Sequence, residues 1–257
     1  MGKLFDTHAH YTDERLRGNT DLLDSLFATD ISHILTVSTD LSDTDACIAL
    51  AGQYENIYAS AGIHPHESGA SGNLDDAMTV LAEKLNAPKV VALGEIGLDY
   101  HYDFSDRETQ MQFFRGQMAL AAEKNIPVII HDREAHGDIM NVIQEYKNKV
   151  VGIIHCCSAS AEQVKEYVKM GWYISFAGVI TYKNASKTLE SVLATPKDRI
   201  LVETDCPYLA PVPKRGKTNH SGYMHYTAEK AASLLQMDYE SFCQQEVQNA
   251  KTILGIK

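Results

Sequence analysis

The sequence predicts an α/β protein built as a TIM (β/α)8 barrel, and three observations carry that expectation. Eight short apolar runs alternate with amphipathic stretches along 257 residues, the arithmetic of eight strand–helix units in about 250 residues. Several runs are continuously apolar rather than alternating, as suits a parallel sheet buried on both faces. Five runs end in His, Glu or Asp where the apolar residues stop, and such strand ends converge on one face of a barrel. A doubly wound open sheet is the rival on strand count alone. The polar strand ends favour the barrel.

Taken in order, the first strand is expected over Leu4 to Tyr11, the second over His33 to Ser38 and the third over Ile57 to Ile63. Leu74, Ala77, Met78, Leu81 and Leu85 then recur at helical spacing, with Asn73 as N-cap and Asp76 in the first turn. A fourth strand covers Lys89 to Glu95. Asp106 to Lys124 follows as a helix carrying Met111, Phe114, Met118 and Ala121, ended by Asn125-Ile126-Pro127. Strands five and six are Pro127 to His131 and Val150 to His155. Ser160 caps a helix bearing Val164, Tyr167 and Val168, which Gly171 stops. Trp172 to Phe176 and Ile200 to Thr204 complete the strands. A Pro-, Lys- and Gly-rich loop, Pro207 to Gly222, precedes two helical stretches. No composition shift divides the chain, so residues 1–257 read as a single domain.

Composition narrows the classes of function. Apolar residues make up 44% and charged residues 22%, as in an ordinary soluble globular chain. No apolar run approaches the roughly eighteen residues that span a bilayer. The start, Met1 to Asp6, has no apolar core of a secretory signal. Five scattered cysteines (Cys47, Cys156, Cys157, Cys206, Cys243) argue against a disulfide framework and for a reducing, cytoplasmic setting. The net charge of −11 argues against a broad basic face that coats duplex nucleic acid. An enzyme that handles a nucleic-acid end at a small, metal-neutralised site remains compatible with it. No obligate protein partner is evident. Eleven histidines are the surplus, and their positions direct the functional reading.

His8 and His10 stand two apart at the end of the first strand, where side chains share a face and can grip one cation. Alone, such a pair is as readily a pair of surface or core histidines. Repetition changes the weighing. Strand four ends in Glu95, strand five in His131, strand six in His155 and strand eight in Asp205. A buried carboxylate after an apolar run is costly unless paired or metal-bound. Four histidines and two carboxylates exceed what one tetrahedral ion takes, so two divalent metal ions are expected. Glu95 is placed to bridge a pair held roughly 3.5–4 Å apart, which would lower the pKa of a bound water and clamp the oxygens of a displacement. Asp205, across the ring, is the expected general base and a ligand as well.

The motifs that carry these residues resemble the TatD family of metal-dependent deoxyribonucleases, within the amidohydrolase superfamily. They are Phe5-Asp6-Thr7-His8-Ala9-His10, Gly62-Ile63-His64-Pro65-His66, Gly94-Glu95-Ile96-Gly97-Leu98-Asp99-Tyr100 and Ile130-His131-Asp132-Arg133-Glu134-Ala135. Further along come His155-Cys156-Cys157-Ser158 and the block from Ile200 through Glu203-Thr204-Asp205-Cys206-Pro207 to Pro211. The resemblance implies a divalent-metal phosphodiesterase acting from the 3′ end of DNA (single-stranded or frayed), assisted by Mg2+. It implies His8, His10, Glu95 and Asp205 around one metal and Glu95, His131 and His155 around the other. Cys157 stands where many relatives have Phe, Asp132 where they have Ser, and His220-Ser221-Gly222 replaces the usual sequel to Arg215-Gly216-Lys217. The last departure bears on the shape of the strand-eight loop.

Other residues have both a functional and a plain reading. The resemblance places His64 and His66 facing the site, to contact a scissile phosphate; the alternative is a rigid turn around Pro65. Arg133 offers a guanidinium fork to a phosphate oxygen, or else an ion pair to Glu134 or Asp138. Lys214 and Arg215, with Lys217, form the dense basic cluster, either guiding a nucleic-acid backbone or merely solvated. Tyr100 and Tyr102 stack a base or pack at the rim. Glu203 is expected to orient a histidine ligand. Cys156, Cys157 and Cys206 read as small buried fillers. The competing activity is hydrolysis of an amide, lactone or carboxyl ester. Relatives of that kind often bridge their metals with a carbamylated lysine, and here Glu95 holds the position. For the metals, histidine donors suit Zn, Mn, Ni or Fe better than Mg2+, which prefers oxygen.

Overall fold

The computed structural model describes residues 2–257; Met1 lies outside the described residues. Eight parallel strands run in the order of the sequence: β1 (Leu4–Ala9), β2 (Ile31–Thr36), β3 (Ile57–Ala61), β4 (Val90–Asp99), β5 (Val128–Arg133), β6 (Gly152–Ile154), β7 (Tyr173–Phe176) and β8 (Ile200–Val202). The seam between β8 and β1 is closed by the Ala9–Cys206 bridge. There His10 N donates to Cys206 O at 2.8 Å and Asp205 N to His8 O at 2.9 Å. The sheet is thus a barrel, as the sequence predicts.

Helices α1 (Thr20–Ala28), α2 (Leu41–Gln53), α3 (Leu74–Lys84), α4 (Arg107–Lys124), α5 (His136–Glu145), α6 (Ala161–Lys169), α7 (Ser186–Ala194), α8 (Met224–Leu234) and α9 (Tyr239–Leu254) cover it. Three begin and end where local chemistry says they should. Asn73 accepts from Asp75 N and Asp76 N, Asp106 from Thr109 N, and Ser160 forms a capping box with Gln163. By contrast, α5 and α7 start on Ala135 and Ala185 with no side-chain cap. These two, like α8 on Tyr223, lack the signal that marks a helix start in a sequence.

Strand boundaries differ from the periodic reading in one consequential place: β4 continues past Glu95 to Asp99. The core has two layers. Phe5, Leu35, Ala92, Ile129, Ile153 and Leu201 join Ala250, Ile253 and Leu254 of α9 inside and beneath the barrel. Their sequence neighbours, among them Leu4, Ile34, Leu93, Ile130, Ile154 and Val202, pack outward against the helices. Both faces are therefore apolar, which explains the unbroken runs. Each fully buried Leu, Ile or Phe contributes about 1.5–3 kcal/mol.

The lower end is sealed. Glu246 Oε2 of α9 accepts from Phe5 N at 3.0 Å, and Asn249 Nδ2 donates to Lys197 O and Ile200 O, each at 2.9 Å. The open end lies at the carboxyl ends of the strands, where the polar residues collect.

Candidate metal centre

Strand parity decides which side chains reach the open end. From Ile129, Ile153 and Leu201, simple alternation carries His131, His155, Glu203 and Asp205 into the barrel mouth. From Phe5 and Ala92 the same alternation would turn His8, His10 and Glu95 outward. Register shifts between Asp6 and Ala9, and between Leu93 and Ile96, reverse the parity. Such irregularities re-aim side chains next to active sites.

The β4 shift is held by a polar cradle. Ser60 Oγ and Ser38 Oγ donate to Gly94 O at 2.5 and 3.4 Å, and Glu95 N donates to Ser38 O at 3.1 Å. Two glycines are required here. A Cβ on Gly94 would lie 2.6 Å from Ile129 Cβ; at Gly97, with φ +142°, it would lie 2.0 Å from His131 O.

Glu95 stands at the centre, 3% exposed. Its Oε2 is 3.3 Å from His8 Nε2 and 3.8 Å from His10 Nε2. Its Oε1 is 2.7 Å from His131 Nδ1, 3.0 Å from His155 Nε2 and 3.7 Å from His64 Nε2. Asp205 Oδ1 lies 3.4 Å from His10 Nε2 and 3.8 Å from His8 Nε2. The His8 and His155 rings stack at 3.7 Å. All six expected ligands therefore meet. His64, expected to contact substrate, joins Glu95 and His131 among the groups able to hold a cation.

The electrostatics of this cluster ask for positive charge. Burial raises the Glu95 carboxyl, yet His155, His8, His64 and the hydrogen bond to His131 hold it well below the usual carboxylate range. Burial also opposes charge on His131, but Asp99 and Glu95 push it up to about 9. Burial and the neighbouring His155 push His8 down. His8 Nε2 and His10 Nε2 face each other at 3.3 Å, a pairing that needs a shared proton or a cation between neutral rings. Converging imidazole nitrogens and carboxylate oxygens are the donor set of a first-row divalent cation, so these residues fit a metal.

A second ring of carboxylates orients the histidines. Glu203 Oε1 pairs with His155 Nδ1 at 2.9 Å and accepts from Cys156 N at 2.7 Å. Asp99, fully buried, is not marked as a site residue by the sequence, in which the fourth apolar run stops at Glu95. Its Oδ2 pairs with His131 Nε2 at 3.1 Å and with His66 Nε2 at 2.8 Å. Its Oδ1 accepts from His101 N and Tyr102 N at 3.0 and 2.9 Å. The signal that could have found it is parity: Asp99 is four residues beyond Glu95 and on the same face.

His66 thus faces Asp99 rather than the centre of the donor cluster. Arg133, exposed, lies over the Tyr102 ring at 4.5 Å; Glu134 pairs with His101, and Asp138 accepts from Tyr100. Arg215 sits 4.3 Å over Tyr182, and Lys214 Nζ lies 5.2 Å from the centre of Tyr223. Both basic residues are shelved on aromatic faces. The strand-eight loop is tied down despite its unusual sequence: Ser221 Oγ donates to Asp6 Oδ2 at 2.6 Å, and Asn219 Nδ2 donates to Thr204 O at 2.9 Å. All five cysteines are free. Burial pushes the Cys157 thiol up to about 12.

A parallel barrel with a histidine–carboxylate cluster at the carboxyl ends of its strands defines a metal-dependent hydrolase. The family described as TatD related DNase matches residues 5–255, and the chain belongs to the TatD family. It is 40% identical to the uncharacterized metal-dependent hydrolase YabD of Bacillus subtilis, over 98% of this chain and 99% of that one. It is 30% identical to the 3′-5′ ssDNA/RNA exonuclease TatD of Enterobacter lignolyticus, again over 98% and 99%. The crystal structure of YJJV, a TatD homolog from Escherichia coli, superposes with a TM-score of 0.91 at 27% identity, covering 99% of this chain and 98% of that one. The E. coli phosphotriesterase homology protein shares the fold, with a TM-score of 0.71 at 10% identity over 98% and 99%. No helix among the described residues is long and apolar enough to cross a membrane.

Proposed function

We propose that the protein is a phosphodiesterase that trims single-stranded or frayed 3′ ends of DNA with two divalent ions (Mg2+, Mn2+ or Zn2+). One observation carries the reading: the two oxygens of Glu95 divide the donors, Oε2 toward His8 and His10 and Oε1 toward His131 and His155. That division matches a carboxylate shared by two cations, with His8, His10, Glu95 and Asp205 holding one and Glu95, His131 and His155 the other. His64 is a further candidate donor on the second side. When bound, the ions supply Lewis acidity to a phosphoryl oxygen and lower the proton affinity of water.

The chain's own residues supply the rest. Asp205 is half-buried at the mouth. Burial raises its pKa, but His10, His155 and His8 hold it below the usual carboxylate range. It is therefore ionised at neutral pH and acts as the base that accepts a proton from the attacking water. Glu203 and Asp99 each take the outer N–H of a histidine, leaving the inner nitrogen of His155 and His131 free as a lone-pair donor. Arg133 and His66 stand beside the cluster to meet a phosphate oxygen, and Lys214 and Arg215 draw the strand toward the mouth of an acidic molecule. We take residues 1–257 as one domain working in a reducing cytoplasm, in keeping with its five free thiols.

The relative named as a 3′-5′ ssDNA/RNA exonuclease supports the polynucleotide substrate. The rival substrates are an amide, a lactone and a carboxyl ester. The decisive experiment offers a labelled DNA oligonucleotide beside a lactone and a dipeptide, with and without chelator. Chelator-sensitive loss of 3′ nucleotides alone is the expected result; turnover of the lactone or dipeptide in its place would overturn the reading.

A further inference from the structure

We propose that Phe104 and Tyr102 form a stacking platform for a nucleobase of single-stranded DNA, beside the metal centre. The inference rests on the phosphodiesterase reading and adds to it how a base is held while its phosphate is cut. Phe104 is the most exposed of the large apolar side chains among the described residues, at 70%, and Tyr102 is 47% exposed. An isolated exposed aromatic residue is ordinary. These two are not isolated: their rings stack at 5.3 Å and 17°.

The platform is joined to the site by short contacts. The His66 ring meets Phe104 edge-on at 4.8 Å, and His66 shares Asp99 with His131. One imidazole therefore separates the platform from a metal-donor histidine. A base placed on this platform would lie one imidazole away from a phosphate held at the donor cluster.

The platform is also held rigid. Ser105 Oγ donates to His66 O at 2.8 Å and accepts from Gly69 N at 2.9 Å, while Gln110 Nε2 donates to Ser105 O at 2.8 Å. A loop so anchored at its base exposes an apolar ring without the freedom to bury it, which lowers the ordering cost of binding.

The charge around it suits a polyanion. Arg133 covers Tyr102 at 4.5 Å. Of the acidic neighbours, Asp103 is paired with Arg107 at 3.0 Å, and Glu134 Oε1 is engaged by His101 Nδ1 at 2.8 Å. Aromatic faces accept any base, so the platform confers grip without sequence preference.

The test uses an oligodeoxynucleotide with 2-aminopurine at its 3′ terminus, mixed rapidly with the holoenzyme so that binding is read before turnover. Stacking quenches the 2-aminopurine. The wild type and Phe104→Trp should quench it, and Phe104→Ala should not. In steady state, the preference in kcat/KM for a base-bearing over an abasic 3′ end should fall about tenfold in Phe104→Ala and return in Phe104→Trp. Quenching that survives in Phe104→Ala, or an equal loss on base-bearing and abasic ends, would overturn the platform. So would a dimer that dissociates on the Phe104→Ala change in sedimentation, because a second copy would then cover the patch. Quenching as expected without hydrolysis of any oligonucleotide would sink the phosphodiesterase reading and leave the platform standing; hydrolysis indifferent to Phe104 would do the reverse.

Discussion

Replacing Asp99 by Asn tests whether the outer carboxylates set the metal affinity. The exchange is nearly isosteric at a fully buried position that packs against His131 and His66. The Asn carbonyl can keep the two backbone donors, His101 N and Tyr102 N. Its amide nitrogen then faces His131 Nε2 as a donor. That nitrogen must become an acceptor, and the ring proton moves to Nδ1, 2.7 Å from Glu95 Oε1. The lone pair required by a cation is then on the wrong side of the ring.

Loss of such a partner costs about 10–100-fold in metal affinity, or about 1.4–2.8 kcal/mol at 1.4 kcal/mol per tenfold. The assay is calorimetric titration of Zn2+ or Mn2+ into the stripped protein, beside the NMR titration of His131. In the metal-free wild type His131 should titrate near 9, the raised value that Asp99 helps to maintain against burial. In the variant that value should drop. Wild-type affinity together with an unmoved His131 titration would refute the argument that Asp99 directs the ring.

Three further outcomes are expected. Asp205→Asn should abolish hydrolysis of single-stranded DNA while leaving metal content largely intact; full activity in that variant would remove Asp205 as the base. Lys214→Ala combined with Arg215→Ala should raise KM for DNA and flatten its salt dependence with little effect on a small phosphodiester, whereas equal losses on both would end the guidance role. His33 bears on acid stability: burial, aided by Lys251, Lys3 and Lys89, lowers its pKa to about 4. A histidine kept neutral in the fold contributes stability above its ordinary value of 6.5, and that contribution is lost as pH falls toward 4. His33→Phe keeps the stack on Phe5 and should narrow the drop in Tm between pH 7 and pH 5; an unchanged drop would show that His33 does not couple to folding.

The barrel and its donors were readable because they are local. Apolar runs such as Val128-Ile129-Ile130 and capped helices such as that from Ser160 are written in short stretches of chain, and five of the eight strands carry their own His, Glu or Asp where the apolar run stops. Four helices are not named from the sequence: α5 and α7 lack side-chain caps, whereas α1 and α2 carry their start signals in Asn19 and Asp40. The donor types at His8, Glu95, His131, His155 and Asp205 are likewise explicit.

Tertiary structure decided how those residues face one another. The reversed parity at His8 and Glu95 arises from register shifts between neighbouring strands, and register is a hydrogen-bonding relation between segments far apart in the chain. For the same reason the sequence could name Asp99 without revealing that it binds His131 and His66, and Arg133, Lys214 and Arg215 without revealing the rings beneath them. The seam follows the same logic: Asp6 meets Thr204 and Ser221 across about two hundred residues only because the eighth strand returns to the first. Composition and period determined what kinds of groups this protein carries and on which elements; the closing of the sheet determined which atoms meet.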